Sequence, residues 1–123
     1  MDRIRAALAA SLLCAPLACF AQATVPDRFG YCFVIDVPLR ALWTTPVYEA
    51  DIPPGRLNDQ VEQDKSQFRA LIGQRARLAG DTDATCTYVA TRAEAEQQVE
   101  RLRKSFRFSR VDWTQVAWAS SPL

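Results

Sequence analysis

The sequence predicts an α+β fold, a two-layer sandwich in which a four-stranded, mostly antiparallel sheet carries two helices on one face. Stretches rich in aromatic and β-branched residues alternate with stretches of helical periodicity in the order ββαβαβ. The chain has 123 residues, which suits one domain once a leader is set aside. A sheet with one apolar face is most simply covered by helices packed against that face.

Residues 1–23 have the pattern of a cleavable signal peptide. Arg3 and Arg5 give a positively charged start, and an uncharged apolar run follows them. Ala21 and Ala23 then stand at the small-residue positions of a signal cleavage site. The apolar run is shorter than the roughly 20 residues that span a bilayer, so a retained anchor is the weaker alternative.

The remaining residues, 24–123, are expected to form a single domain in the periplasm or the extracellular space. A lipoprotein signal is a second alternative for the leader, because Cys19 follows a small residue.

Cys32 and Cys86 are the cysteines outside the leader. Two cysteines in an exported domain most simply form one disulfide, although two separate buried thiols are the alternative.

The first two strands are predicted to form a hairpin. Residues 29–36 alternate between two faces of a strand, and residues 37–40 contain the proline of a turn. Residues 41–48 are the second predicted strand. Pro46 cannot donate a backbone hydrogen bond, so its place in this strand indicates an edge position or a bulge.

The first helix is predicted to start at Asn58 or Asp59 and to run to about residue 77. Glu62 follows Asp59 at the spacing of a capping box. The apolar face predicted for this helix consists of Val61, Phe68, Leu71 and Ile72.

The second helix is predicted with Thr91 as N-cap and Glu94 as the partner residue of a capping box. It lies between a third predicted strand, residues 85–90, and a fourth, residues 109–118. If the third and fourth strands lie in one sheet, the crossover helix makes them parallel.

Composition excludes several classes of function. The chain has no histidine, which removes the commonest general base and metal ligand and any Ser-His or Cys-His nucleophile. A glycine-rich phosphate loop is also missing, so no cofactor and no metal are expected. The formal net charge is +1 and falls to near zero without the leader, which argues against a nucleic-acid partner. Carboxylate-only hydrolysis stays open through Asp36, Glu49, Asp51, Asp59 and Asp112.

The residues that the sequence offers for binding are cationic and aromatic. The basic stretch that ends the second helix suits an anionic partner, or else it complements the helix dipole on a solvated face. Tyr48 and Trp118 lie near strand ends, where exposure is expected. The candidate binding residues are therefore Tyr48, Trp118, Arg103 and Arg107.

The order of these features resembles a set of small exported bacterial domains that carry two cysteines and have no established activity. The resemblance is carried by Tyr31-Cys32, residues 45–49, Phe68, Cys86 and the tryptophan-ended last strand. It implies a single domain and transfers no catalytic residue. The usual tyrosine-glycine ending of the first helix is replaced here by Ala76-Arg77.

The leading hypothesis is a non-catalytic module that binds a protein or an envelope component and has no membrane span after cleavage. An inhibitor or immunity protein is one concrete form. The alternatives are a small carboxylate-dependent hydrolase and a structural subunit of an envelope assembly. An exposed aromatic patch beside Arg103 and Arg107 would favour the binding module, whereas a cleft holding two acids would favour the hydrolase.

Overall fold

The computed structural model describes residues 28–106 and 110–123. The predicted leader, with Ala21 and Ala23, lies outside the described residues, and so does Arg107. The described part is α+β, as predicted, with two helices and a mixed, mostly antiparallel sheet. In chain order its elements are β1 (Phe29–Asp36), β2 (Ala41–Thr44), β3 (Tyr48–Glu49), α1 (Leu57–Arg75), β4 (Ala84–Val89), α2 (Arg92–Phe106) and β5 (Asp112–Gln115).

The sheet contains five strands in these residues rather than the four predicted. β1 lies inside the sheet and pairs antiparallel with β2, β3 and β4. Phe29 pairs with both β3 and β4, and Phe33 pairs with both β2 and β4. β2 and β3 therefore share one flank of β1, with β4 on the other. β5 pairs parallel with β2 and forms the outer edge on that side.

The fifth strand arises because the predicted second strand is interrupted at Pro46. The Thr45 backbone N–H donates to the carbonyl of Cys32 at 3.0 Å. The Cys32 N–H donates in turn to the Thr45 side-chain hydroxyl at 2.9 Å, in place of a backbone carbonyl. Pro46 follows without an N–H, and pairing resumes only at Tyr48.

The two helices lie on opposite faces of the sheet, so the expected two-layer arrangement with both helices on one face is wrong. Cys32 and Val34 of β1 pack in one cluster with Phe68 and Ile72 of α1. Tyr31 and its odd-numbered neighbours in β1 pack in a second cluster with Ala95 and Val99 of α2. Successive side chains of a strand point to opposite faces. β4 and β5 run in the same direction, as predicted, with β1 and β2 between them.

The helix starts differ in how well they follow the prediction. α2 begins after Thr91, whose hydroxyl accepts the Glu94 backbone N–H at 3.2 Å, so the predicted N-cap is confirmed. α1 begins at Leu57, before the predicted caps, and has no side-chain cap. Asp59 instead lies in the first turn and pairs with Arg56 at 2.5 Å. No helix of the described residues is long and apolar enough to cross a bilayer.

Cys32 and Cys86 form a disulfide within the chain. They are direct partners in the register of β1 and β4, with their Cα atoms 4.1 Å apart. Both are buried in the cluster beneath α1. The bridge thus joins the inner strand of the sheet to its edge strand β4 and constrains the loop that contains β2, β3 and α1.

Candidate functional site

The candidate site is a groove of about 400 Å³ between the last turn of α2 and β5. The residues that line the groove are Leu42, Arg103, Lys104, Phe106, Val111 and Trp113. Four of these six residues are apolar, and the two cations stand together on α2. A mostly apolar concave surface with a few placed charges is typical of ligand sites.

Trp113 is the more exposed of the two aromatic side chains that line the groove. It is 43 % exposed, although it belongs to a strand of the sheet. Its indole Nε1–H donates to the hydroxyl of Thr44 at 2.8 Å. Thr44 itself has no exposed surface. The ring is therefore exposed but held in one orientation.

Arg103 lies against the same ring. Its guanidinium carbon is 5.3 Å from the centre of the Trp113 ring, within the range of a cation–π contact. The guanidinium also donates to both carboxylate oxygens of Glu100, at 2.6 and 3.1 Å. These hydrogen bonds hold the pKa of Glu100 below its usual value. Glu100, Arg103, Trp113 and Thr44 thus form a continuous chain of contacts, called here the anchor chain.

The surroundings of the groove are basic. Lys104 has no ion pair among the described residues, unlike Arg103. The backbone N–H of Asp112 donates to the carbonyl of Arg40 at 2.8 Å, which places Arg40 at the start of β5. Arg110 lies two residues before that point and is exposed. The anionic side chains here are Glu100, already paired with Arg103, and Asp112.

The structure describes three of the four predicted binding residues and places them in two different parts of the fold. Arg103 lines the groove, and Arg107 lies outside the described residues. Tyr48 is only 7 % exposed, so the expectation that it is exposed is wrong. Trp118 is partly buried and meets the Tyr48 ring edge to face at 5.7 Å.

Tyr48 is buried because the C-terminal segment packs back across α1. The Asp64 carboxylate, which has no exposed surface, accepts hydrogen bonds from the hydroxyls of Tyr48 and Tyr88. It also accepts from Ser120 at 2.5 Å and from the Gln60 amide at 3.0 Å. Four segments of the chain therefore meet at one carboxylate, called here the Asp64 network.

The Asp64 network is a structural centre rather than an open site. Burial is the main cause that raises the pKa of both Tyr48 and Tyr88, and the Asp64 carboxylate raises each further. Both hydroxyls therefore remain protonated donors across the physiological range. No buried side-chain polar atom of the described residues lacks a partner.

The acids of the hydrolase hypothesis are mostly apart. Asp36 is buried, whereas Asp59 is exposed at the start of α1 and Asp112 is exposed in β5. Glu49 and Asp51 share a pocket, of about 240 Å³, with Gln60 and residues of the C-terminal segment. Within the described residues, no three acidic or cysteine side chains are placed to hold a metal ion.

Sequence reasoning selected the basic end of α2, but among the aromatic residues it preferred Tyr48 and Trp118 to Trp113. Trp113 alternates with polar neighbours in its strand, and this pattern is equally typical of a buried residue. Its exposure follows from the edge position of β5, which depends on strand order. Comparisons with protein families, with characterised proteins and with solved structures find no match to this chain.

Proposed function

We propose that the chain is an exported, non-catalytic interaction module that holds a protein or an envelope component in the groove. The observation that carries this proposal is the anchor chain, which fixes an exposed tryptophan beside two cations. Tryptophan and arginine are the residues most enriched among those that dominate binding energy. A ring already fixed in position loses little freedom when a partner binds, which favours affinity.

Two further features support export. The intramolecular disulfide suits an oxidising compartment, where such bonds persist. The signal-like pattern of residues 1–23 provides the route. An inhibitor or immunity protein that acts on an envelope enzyme remains the concrete form of the proposal, because such proteins need only a small, rigid, disulfide-closed binding surface.

Quantitative capture tests the proposal. The mature protein is immobilised and exposed to an envelope extract, and retained proteins are identified by mass spectrometry. Trp113→Ala should lose the partner that the wild-type protein retains. Leu57→Ala is the matched control, because Leu57 is an exposed apolar residue of α1 that does not line the groove. Equal retention by the wild-type protein and Trp113→Ala would contradict the proposal.

The small hydrolase is the second candidate, and the pocket shared by Glu49 and Asp51 is the observation that favours it. Glu49 is already paired with Arg28 at 2.8 Å, which weakens its suitability as a free acid or base. Hydrolysis of envelope polymers by the wild-type protein, abolished in Glu49→Gln and in Asp51→Asn, is the result that would support this candidate.

A further inference from the structure

We propose that the ligand of the groove is an extended acidic peptide segment that pairs with the outer edge of β5 and inserts one apolar side chain between α2 and Trp113. This inference rests on the proposed function, because it names the chemistry of the partner. Three features of the molecule support it: the open edge of β5, the positive charge around the groove and the size of the groove.

The outer edge of β5 offers backbone groups to a partner strand. The N–H groups of Asp112 and Val116 donate to carbonyls on the β2 side, at 2.8 and 2.7 Å. Backbone groups of a strand alternate in direction, so those of Trp113 and Gln115 point away from β2. Among the described residues, β5 has β2 as its one strand partner. Addition of an extended peptide to such an edge is a common mode of recognition.

The positive charge around the groove favours an acidic peptide segment as the ligand. Arg103 and Lys104 line it, and Arg40 and Arg110 lie at the adjoining end of the sheet. The anionic side chains beside these four cations are Glu100, which Arg103 already engages at 2.6 Å, and Asp112. The groove therefore has an excess of positive charge, with Lys104 free of an ion pair among the described residues. Complementary charge favours the correct partner and speeds association.

The groove has room for one apolar side chain of a peptide. Its volume of about 400 Å³ is at the small end of the range of ligand sites, roughly 300–1,000 Å³. Phe106, Val111 and Trp113 provide an apolar lining for one aromatic or branched side chain. Residues two apart in a strand share a face. A glutamate two positions from the inserted side chain thus lies on the same face of the peptide as that side chain, toward the α2 cations.

The test uses a terminally blocked heptapeptide of defined pattern. A central phenylalanine has a glutamate two residues away on each side, and threonines fill the other positions. Titration into the mature, disulfide-intact protein is followed by two-dimensional NMR. We expect saturable shifts at the backbone amides of Trp113 and Gln115, and weaker binding as salt is added. The same peptide with lysines in place of the glutamates should not bind.

Variants of the protein and a modified peptide test the contribution of charge and the contribution of strand pairing separately. Lys104→Glu should weaken binding about tenfold, because it turns an attraction into a repulsion. Arg77→Glu is the matched control, since Arg77 is exposed and does not line the groove, and it should leave binding unchanged. Methylation of the peptide backbone nitrogens should abolish binding, because strand pairing needs those donors.

Three results would overturn the inference. The first is equal binding of the lysine peptide and the glutamate peptide, and the second is no saturable binding of the glutamate peptide. The third is binding of the protein to vesicles of anionic phospholipid that Lys104→Glu abolishes, together with no binding of the glutamate peptide to the groove. Any of these can occur while Trp113→Ala still loses its captured partner. Failure of the peptide chemistry is therefore distinguishable from failure of the proposed function.

Discussion

The indole nitrogen of Trp113 lies 2.8 Å from the hydroxyl oxygen of Thr44, and this hydrogen bond joins a half-exposed ring to a fully buried side chain. Arg103 covers the ring and is itself held by Glu100. The surface that we assign to binding is therefore supported by the sheet beneath it. The orientation of Trp113 is set before any partner arrives.

Thr44→Val should release Trp113 without removing it. The valine keeps the shape of the threonine but cannot accept the indole hydrogen bond, so the free energy of unfolding should fall by about 1 kcal/mol. The indole N–H resonance of Trp113 should shift, and binding to the groove should weaken. Thr85→Val, at an exposed position of β4, is the control. An unchanged indole resonance in Thr44→Val would contradict this role.

Asp64→Asn should destabilise the domain strongly. The change places an amide where Tyr48, Tyr88, Gln60 and Ser120 now donate to a carboxylate, and it leaves buried donors without acceptors. We expect a loss of about 2–4 kcal/mol in urea unfolding. Asp59→Asn removes an exposed acid of the same helix and should cost less than about 1 kcal/mol. Similar losses for both variants would argue against the Asp64 network.

Gly30→Ala should also destabilise, because no side chain fits at this position. A Cβ atom there would lie 2.6 Å from the Tyr88 ring and 3.0 Å from the Tyr48 ring. These rings are held by each other and by Asp64, so we expect a cost of about 1–3 kcal/mol. Gly80→Ala is the matched control, with nothing within 4 Å of its added carbon. Thermal unfolding of the two variants should differ clearly, with Gly80→Ala close to the wild-type protein.

Asp36 makes stability depend on pH at the acid end of the scale. Its carboxylate accepts the backbone N–H groups of Ala79 and Leu39, each at 3.0 Å, and these bonds lower its pKa. A lowered folded-state pKa contributes stability that is present above the unfolded value of about 3.9 and is lost as pH falls through the folded value.

Unfolding as a function of pH tests this contribution. Asp36→Asn should be less stable than the wild-type protein at pH 7, and the difference should shrink below about pH 4, where Asp36 of the unfolded and then the folded protein becomes protonated. Asp81→Asn changes an exposed acid near Ala79 and should follow the wild-type curve. The free energies of unfolding of Asp36→Asn and the wild-type protein could instead differ by a constant amount through this range. That result would contradict the role of Asp36.

Local signals predicted the elements of the fold better than their arrangement. β1, the Thr91 cap and the cysteine pair follow from residue type and spacing. The side on which each helix packs depends on tertiary contacts. β1 is apolar on both faces, with Tyr31 on one and Val34 on the other, and this is the pattern of a strand covered on both sides. Its alternation alone does not show which face each helix covers.

The positive charge of the candidate site could be predicted from the sequence, but its geometry could not. The cations at the end of α2 are visible in sequence, and Arg103 does line the groove. Trp113 and Tyr48 are both aromatic residues of predicted strands, yet one is exposed and the other buried, because β5 is an edge strand and the C-terminal segment covers Tyr48. The role of Asp64 was also not predictable from the sequence, because a single acid on a polar helix does not indicate that four donors converge on it.

Site-specific photo-crosslinking in cells that express the full-length chain tests the central claim most directly. A photoreactive phenylalanine analogue replaces Gln115, which is exposed on β5, or Gln74, which is exposed on α1 and away from the groove. The proposed function predicts a discrete crosslinked partner from position 115 that is lost when Trp113→Ala is added, and none from position 74. A partner captured equally from both positions, or one that survives Trp113→Ala, would contradict it.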